Sequence, residues 1–206
     1  MTAELLMVFV RAPRPGQVKT RLAASLGSAQ ALAAYKQLVA TVLAGIEGGG
    51  SVELHYTPDD AAAEMSPWLR PGWECRPQLA GDLGTRMHGA FVDAFSRGAS
   101  RVVLIGSDCP EATLEDVQSA WANLDHHDLV LGPARDGGYW LIALRQPQPG
   151  LFQGMAWSTS SVLQETMLRA QKAGLRTLLL RQLADVDTAA DWHEFQQRLR
   201  GRKDRE

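Results

Sequence analysis

The chain of 206 residues predicts an α/β protein with three layers, α/β/α, in which helices cover both faces of a mixed, mostly parallel sheet. Three observations carry this. Short runs of β-branched and leucine residues alternate with stretches whose apolar residues recur at helical spacing. The run Val102-Val103-Leu104-Ile105 has no polar alternation, as a strand buried on both faces requires. The runs at 128–133 and 139–144 are joined by too few residues for a helical crossover, so they call for an antiparallel pair.

In order, Leu5-Leu6-Met7-Val8-Phe9-Val10 reads as the first buried strand. A loop rich in cations follows, and its two prolines and glycine forbid a helix before about Val18. Leu32, Tyr35, Leu38, Val39, Val42, Leu43 and Ile46 then mark a helix, closed by Gly48-Gly49-Gly50. Val52 to Tyr56 is a second strand, and Thr57-Pro58-Asp59-Asp60 reads as a helix start. A weak third strand at 73–79 leads to Gly81-Asp82-Leu83-Gly84-Thr85-Arg86-Met87 and a helix through Ala90, Phe91, Ala94 and Phe95. After the strand at 102–105, Thr113-Leu114-Glu115-Asp116 resembles a capping box. Beyond the antiparallel pair come a helix at about 161–172, a strand at 177–180, and a last helix capped by Thr188-Ala189-Ala190-Asp191. Residues 1–206 read as one domain, with 200–206 as a frayed tail.

Composition narrows the function. A net charge of −2 with no basic patch argues against nucleic acid as the main partner. No apolar run reaches the ~18 residues of a membrane span, and the start lacks a basic leader region, so a cytoplasmic location is expected. The two cysteines, Cys75 and Cys109, are too few and too far apart for a disulfide scaffold or a thiolate zinc site. Oligomeric state is not legible.

Ligands of open α/β sheets bind outside the carboxyl ends of the strands. Four polar loops lie there: 11–21, 81–86, Asp108, and 185–187. In the first, Arg11, Lys19 and Arg21 stand ahead of a helix N-terminus, a combination suited to phosphates; Arg14 reads as a solvated charge. Neither Gly-x-x-x-x-Gly-Lys-Ser/Thr nor Gly-x-Gly-x-x-Gly is present. Asp108, at a strand tip, suits a metal or a substrate hydroxyl, or the capping of a turn. Asp108 and Asp187 together would suit Mg²⁺ or Mn²⁺ bridging phosphate oxygens, whereas Asp185 better fits helix capping. Asp136-Gly137-Gly138-Tyr139-Trp140 reads either as an acceptor-side acid beside sugar-stacking aromatics or as an Asp-Gly hairpin turn.

Four blocks in order then resemble a bacterial family of GT-A-like glycosyltransferases, some labelled arsenosugar-biosynthesis glycosyltransferases. They are Pro13 to Leu22, Gly81 to Met87, Ile105 to Pro110 and Gly132 to Trp140. The wider superfamily, the nucleotide-diphospho-sugar transferases, includes nucleotidyltransferases such as molybdopterin guanylyltransferase and phospholactate guanylyltransferase. The resemblance implies a GT-A-like fold, a phosphate grip at Arg11, Lys19 and Arg21, and a nucleobase or ribose loop at Gly81, Asp82, Gly84 and Thr85. It also implies metal ligands at Asp108 and, within Asp185-Val186-Asp187-Thr188, at Asp187. Two departures stand out: the glycosyltransferase Asp-x-Asp is here Ser107-Asp108-Cys109, and the glycine-rich first loop of sugar nucleotidyltransferases is replaced by prolines. The leading expectation is a metal-dependent glycosyltransferase that uses a nucleotide-sugar donor and a small-molecule acceptor, with Asp136 as catalytic base or hydroxyl ligand. The alternatives are a nucleotidyltransferase that releases pyrophosphate from a nucleoside triphosphate, and a non-catalytic nucleotide-binding regulator.

Overall fold

Successive side chains of β1 (Glu4–Arg11) point to opposite sides, and both sides are apolar. Leu6, Val8 and Val10 join one buried cluster, while Leu5 and Met7 join another. Such a strand must be covered on both faces, which places it at the middle of a sheet. The structure, a computed structural model, describes residues 3–203. Besides β1, the strands are β2 (Ser51–Thr57), β3 (Glu74–Pro77), β4 (Arg101–Gly106), β5 (Leu129–Pro133), β6 (Tyr139–Leu144) and β7 (Thr177–Leu179). They form one sheet in the order β3-β2-β1-β4-β6-β5-β7. Leu5 sits opposite Ser51 on one side and Val102 on the other, both pairings parallel. Only β6 runs against its neighbours, β4 and β5, as the short connection at 134–138 demands.

Helices α2 (Ser28–Gly45) and α5 (Leu114–Asn123) cover one face, through Tyr35, Val39, Leu43, Val117 and Trp121. Helices α4 (Leu83–Ser96) and α6 (Val162–Lys172) cover the other, through Met87, Phe91 and Ala170. The capping box of α5 forms as read: Thr113 Oγ accepts the Asp116 N–H, and the Asp116 carboxylate accepts the Thr113 N–H at 2.9 Å. Helix α7 (Ala189–Lys203) packs Phe195 against Leu38 of α2. No helix among the described residues is long and apolar enough to cross a membrane.

Boundaries depart from expectation in three places. The helical stretch after the first loop is two helices, α1 (Thr20–Leu26) and α2, divided at Gly27 with φ 83° and ψ 156°. Thr57 ends β2 and Pro58–Asp60 is a turn, in which the Ala61 N–H reaches the Pro58 carbonyl, so α3 (Ala62–Met65) begins later than its proline and acids suggest. The tail expected over 200–206 is helical as far as Lys203, and residues 204–206 lie outside the described residues.

One charged cluster is built into the sheet interior. Glu53 of β2 is buried, and Arg97, just after α4, grips its carboxylate with two nitrogens at 2.6 and 2.8 Å. His55 Nε2 lies 3.1 Å from the same carboxylate, and Arg76 of β3 makes a charge contact at 3.2 Å. Burial opposes the Glu53 charge, but the hydrogen bonds from His55 and Arg97 outweigh it and hold its pKa down to about 2. The cluster ties β2, β3 and the far end of α4 together behind the cleft described next.

Candidate active site

A cleft of about 630 Å³ opens outside the carboxyl ends of β1 and β4, the expected place for a ligand on this kind of sheet. Its floor begins at the first loop. The hydroxyl of Tyr35 accepts the Arg11 N–H at 2.8 Å and donates to the Arg11 carbonyl at 2.9 Å, clamping the strand end where the loop departs. Arg14 turns away to pair with Asp60 and Glu64, at 2.9 and 2.7 Å, so it is a structural ion pair rather than a solvated charge.

Lys19 takes the left-handed conformation, φ 48° and ψ 50°, immediately before α1. That conformation costs a non-glycine residue roughly 1–2 kcal/mol. Its side chain is only 4% exposed, and its ammonium lies 2.7 Å from Asp108 Oδ1 and 2.7 Å from Asp187 Oδ1. Burial opposes the charge, yet the fields of the two carboxylates prevail and raise the lysine pKa. Arg21 stands further out, 3.7 Å from Asp187 Oδ2 and largely exposed.

The two carboxylates meet because their loops are stitched together. Asp108 follows β4, and its carbonyl accepts the Val186 N–H at 3.0 Å. Capping of α7 falls to Thr188, whose Oγ accepts the Asp191 N–H at 3.3 Å, and Asp191 reciprocates, its Oδ2 accepting the N–H groups of Asp187 and Thr188 at 3.2 and 2.8 Å. The Asp187 side chain is thereby released from the capping role its motif allows. Asp185, read from sequence as a cap, lines the cleft instead. Burial raises its pKa, and the nearby Asp136 and Asp187 add to that shift.

Asp136 lines the cleft from the turn between β5 and β6. Its Oδ1 accepts the Gly138 N–H at 2.8 Å, so it is a turn-forming acid and a cleft acid at once. Gly137, at φ +91°, could not carry a side chain: a Cβ there would fall 2.1 Å from the Ser160 carbonyl oxygen. The contact and the 2.9 Å bond from Leu163 N–H to the Gly137 carbonyl dock this turn on the start of α6.

The segment at 81–86 behaves differently from its sequence reading. Asp82 is the N-cap of α4, accepting the Thr85 N–H at 2.7 Å, and hydrogen bonding from the Thr85 side chain and then from its N–H lowers its pKa. A Cβ on Gly84 would sit 2.5 Å from the Phe152 carbonyl and 2.7 Å from Trp157 Nε1, so that glycine serves packing. Gly81, Asp82, Gly84 and Thr85 do not line the cleft; Leu83, Arg86 and Met87 do. Sequence reasoning also passed over Gln78, Trp157 and Ser158, which line it too. Ser158 left no trace in composition, although its φ of +63° marks an unusual turn.

Two aspartates from separate loops, close enough to share one ammonium, offer the hard oxygen donors that Mg²⁺ or Mn²⁺ prefers. Among the described residues no third His, Cys, Asp or Glu completes a metal cage. An ion held by one or two carboxylates, with phosphate oxygens and water filling the rest, needs none.

Comparison with known proteins agrees with this architecture. Residues 38–159 match a family described as uncharacterized proteins conserved in bacteria, DUF2064. The crystal structure of a proposed nucleotide-diphospho-sugar transferase from Desulfovibrio desulfuricans G20 is 38% identical, covers 91% of this chain and 84% of its own, and superposes with a TM-score of 0.85. The 4-diphosphocytidyl-2C-methyl-D-erythritol synthase of Anaerococcus prevotii DSM 20548, 9% identical, shares the fold over 97% of this chain and 99% of its own, at a TM-score of 0.65. A 3-phospho-D-glycerate guanylyltransferase from Phenylobacterium zucineum (strain HLK1) is 30% identical over 146 residues. That match spans 64% of this chain and 62% of the curated relative. The relatives are transferases, and with this sheet order and this cleft the chain belongs to the bacterial DUF2064 family and has the nucleotide-diphospho-sugar transferase fold.

Proposed function

We propose that this enzyme is a nucleotidyltransferase: an acceptor oxygen attacks the α-phosphorus of a nucleoside triphosphate, and pyrophosphate leaves. The observation that supports it best is the buried Lys19 ammonium between Asp108 and Asp187, with Arg11 and Arg21 beside it. Phosphoryl transfer gathers negative charge on the oxygens of the reacting phosphorus and of the leaving group, and fixed cations stabilise that charge without reorganising. Glycosyl transfer from a nucleotide-sugar also loads charge onto a leaving diphosphate, but it adds positive charge at the sugar carbon, which fixed cations do not stabilise. The curated relative, a guanylyltransferase, leans the same way.

In this reading Arg11, Lys19 and Arg21 hold phosphate oxygens. Asp108 and Asp187 hold Mg²⁺ or Mn²⁺, which supplies charge neutralisation between phosphates when bound. Asp136 accepts the acceptor proton where the acceptor is a hydroxyl. Gly81, Asp82, Gly84 and Thr85 act indirectly, by shaping the start of α4 that presents Leu83 and Met87 to the nucleoside.

A second reading, glycosyl transfer from a nucleotide-sugar, draws on one observation. Asp136, Asp185 and Asp187 crowd one wall closely enough to raise the Asp185 pKa, after burial, and a wall of acids suits a sugar ring that gains positive charge. The experiment is a panel of nucleoside triphosphates and nucleotide-sugars with Mn²⁺, read by thermal shift and then by product. A ligand at ~100 times its Kd stabilises by about 2.7 kcal/mol. Pyrophosphate from a triphosphate supports the first reading, and a nucleoside diphosphate from a nucleotide-sugar supports the second. Asp108→Asn should abolish the metal-dependent part of nucleotide binding while leaving the far-UV circular dichroism unchanged; undiminished Mn²⁺ dependence in that variant would remove Asp108 from the metal role.

A further inference from the structure

Arg86 lies in the first turn of α4, half-buried, and its guanidinium lines the cleft. Its Nη1 donates to Gln78 Oε1 at 3.2 Å and its Nε to the Asp82 carbonyl at 3.3 Å. Gln78 is itself locked. Its amide nitrogen donates to the carbonyls of Val10 and His55, at 3.2 and 2.7 Å, so only its oxygen can face the arginine. Arg11, whose backbone Tyr35 clamps, extends its side chain into the same cleft and donates to the Gln17 carbonyl at 3.2 Å.

Among the described residues neither guanidinium has a carboxylate within ion-pair distance. Arg14, Arg97, Arg101 and Arg181, by contrast, are each paired with at least one. Burial and then the charge of Arg11 lower the Arg86 pKa. A rigid, unpaired arginine brought near a second one is costly unless an anion joins them. The acids of the cleft, Asp108, Asp136, Asp185 and Asp187, all come from the loops after β4, β5 and β7, whereas Arg11 ends β1 and Arg86 lies in the first turn of α4, the helix that follows β3.

We infer that Arg11 and Arg86 form a seat for a phosphoryl group distinct from the one at the Asp108–Asp187 pair. Two guanidinium forks match the oxygen spacing of a phosphate, and its double charge offsets both cations. The inference rests on the nucleotidyltransferase reading for its ligand. That phosphoryl group belongs either to the far end of the nucleoside triphosphate or to a phosphorylated acceptor.

Calorimetry on the full chain with Mg²⁺ separates the sources. Whichever common ribonucleoside triphosphate stabilises the wild type most is titrated against its diphosphate, and inorganic phosphate is then titrated into the triphosphate-saturated protein. If the seat holds the terminal phosphate, the wild type prefers triphosphate over diphosphate at least tenfold and Arg86→Gln brings that ratio near one. If it holds the acceptor's phosphate, nucleotide binding is unchanged and Arg86→Gln weakens inorganic phosphate at least tenfold. Arg86→Lys, which keeps the charge and loses the fork, should show part of whichever loss is seen and stands in should Arg86→Gln misfold. Variants within twofold of the wild type in both measurements overturn the seat. If no nucleotide binds the wild type, the nucleotidyltransferase reading falls, and phosphate titrated into the free protein still decides whether the two arginines hold it.

Discussion

Replacing Glu53 by glutamine should destabilise the protein strongly at neutral pH and much less in acid. The carboxylate is buried and shared by Arg97, Arg76 and His55, and its folded pKa is about 2 against an ordinary 4.5. Each unit of such a difference is worth about 1.4 kcal/mol, so the charge contributes about 3 kcal/mol wherever it is fully ionised in both states. The sign follows from the depressed value. The contribution is complete above pH ~5, where the unfolded chain is also ionised, and is lost as pH falls toward 2. Glutamine imitates the protonated acid, so the gap between variant and wild type should be about 3 kcal/mol at pH 7 and roughly half that at pH 3. Urea unfolding followed by circular dichroism at pH 7, 5, 4 and 3 measures it. A gap under about 1 kcal/mol at pH 7, or one equal at all four pH values, would refute the assignment of this stability to the Glu53 charge.

Three further outcomes are expected. Lys19→Met removes the cation that competes for Asp108 and Asp187. Without nucleotide, Mn²⁺ should bind roughly tenfold tighter by electron paramagnetic resonance, while turnover falls about 100-fold; weaker Mn²⁺ binding would show that the lysine does not occupy the cation's place. Gly137→Ala meets both a positive φ and the Ser160 carbonyl, so it should cost about 2 kcal/mol or more in chemical unfolding. Gly154→Ala, with φ +61° and open space around its Cβ, should cost only about 1 kcal/mol, and equal losses at the two sites would discount the steric contact.

The strands were legible because burial on both faces leaves unbroken apolar runs, as in β1 and β4. The antiparallel β6 followed from a connection too short for anything else. Lys19, Asp108 and Asp187 could be singled out because chemistry at strand ends follows a topological rule, and the structure brings all three together. What escaped notice depends on tertiary placement. Arg86 reads only as the end of the polar loop at 81–86, and nothing in the sequence shows that Gln78 holds it. Trp157 follows no strand, so nothing in the sequence points it at the cleft. Gly84 and Asp82 are the instructive cases: a glycine and an acid ahead of a helix suggest a ligand, and the same residues serve packing against Trp157 and capping of α4. Glu53, in a strand interior, gives no sign of its arginines, which arrive from β3 and from beyond α4.

The bond between Lys19 and Asp187 also sets the order in which the molecule can be assembled. It joins residues 168 positions apart, whereas the β5–β6 hairpin closes over a handful. Closing long loops costs entropy before their contacts repay it, and chains dominated by such contacts fold slowly. The hairpin that carries Asp136 can therefore form early and locally, while the lysine's pocket closes only after β1, β4 and the approach to α7 have met. During synthesis the ribosome releases Lys19 long before Asp187, and through that interval the ammonium stays solvated, because the pocket that buries it has not yet closed. Competence for ligand should thus emerge last in refolding, trailing the recovery of helix and sheet.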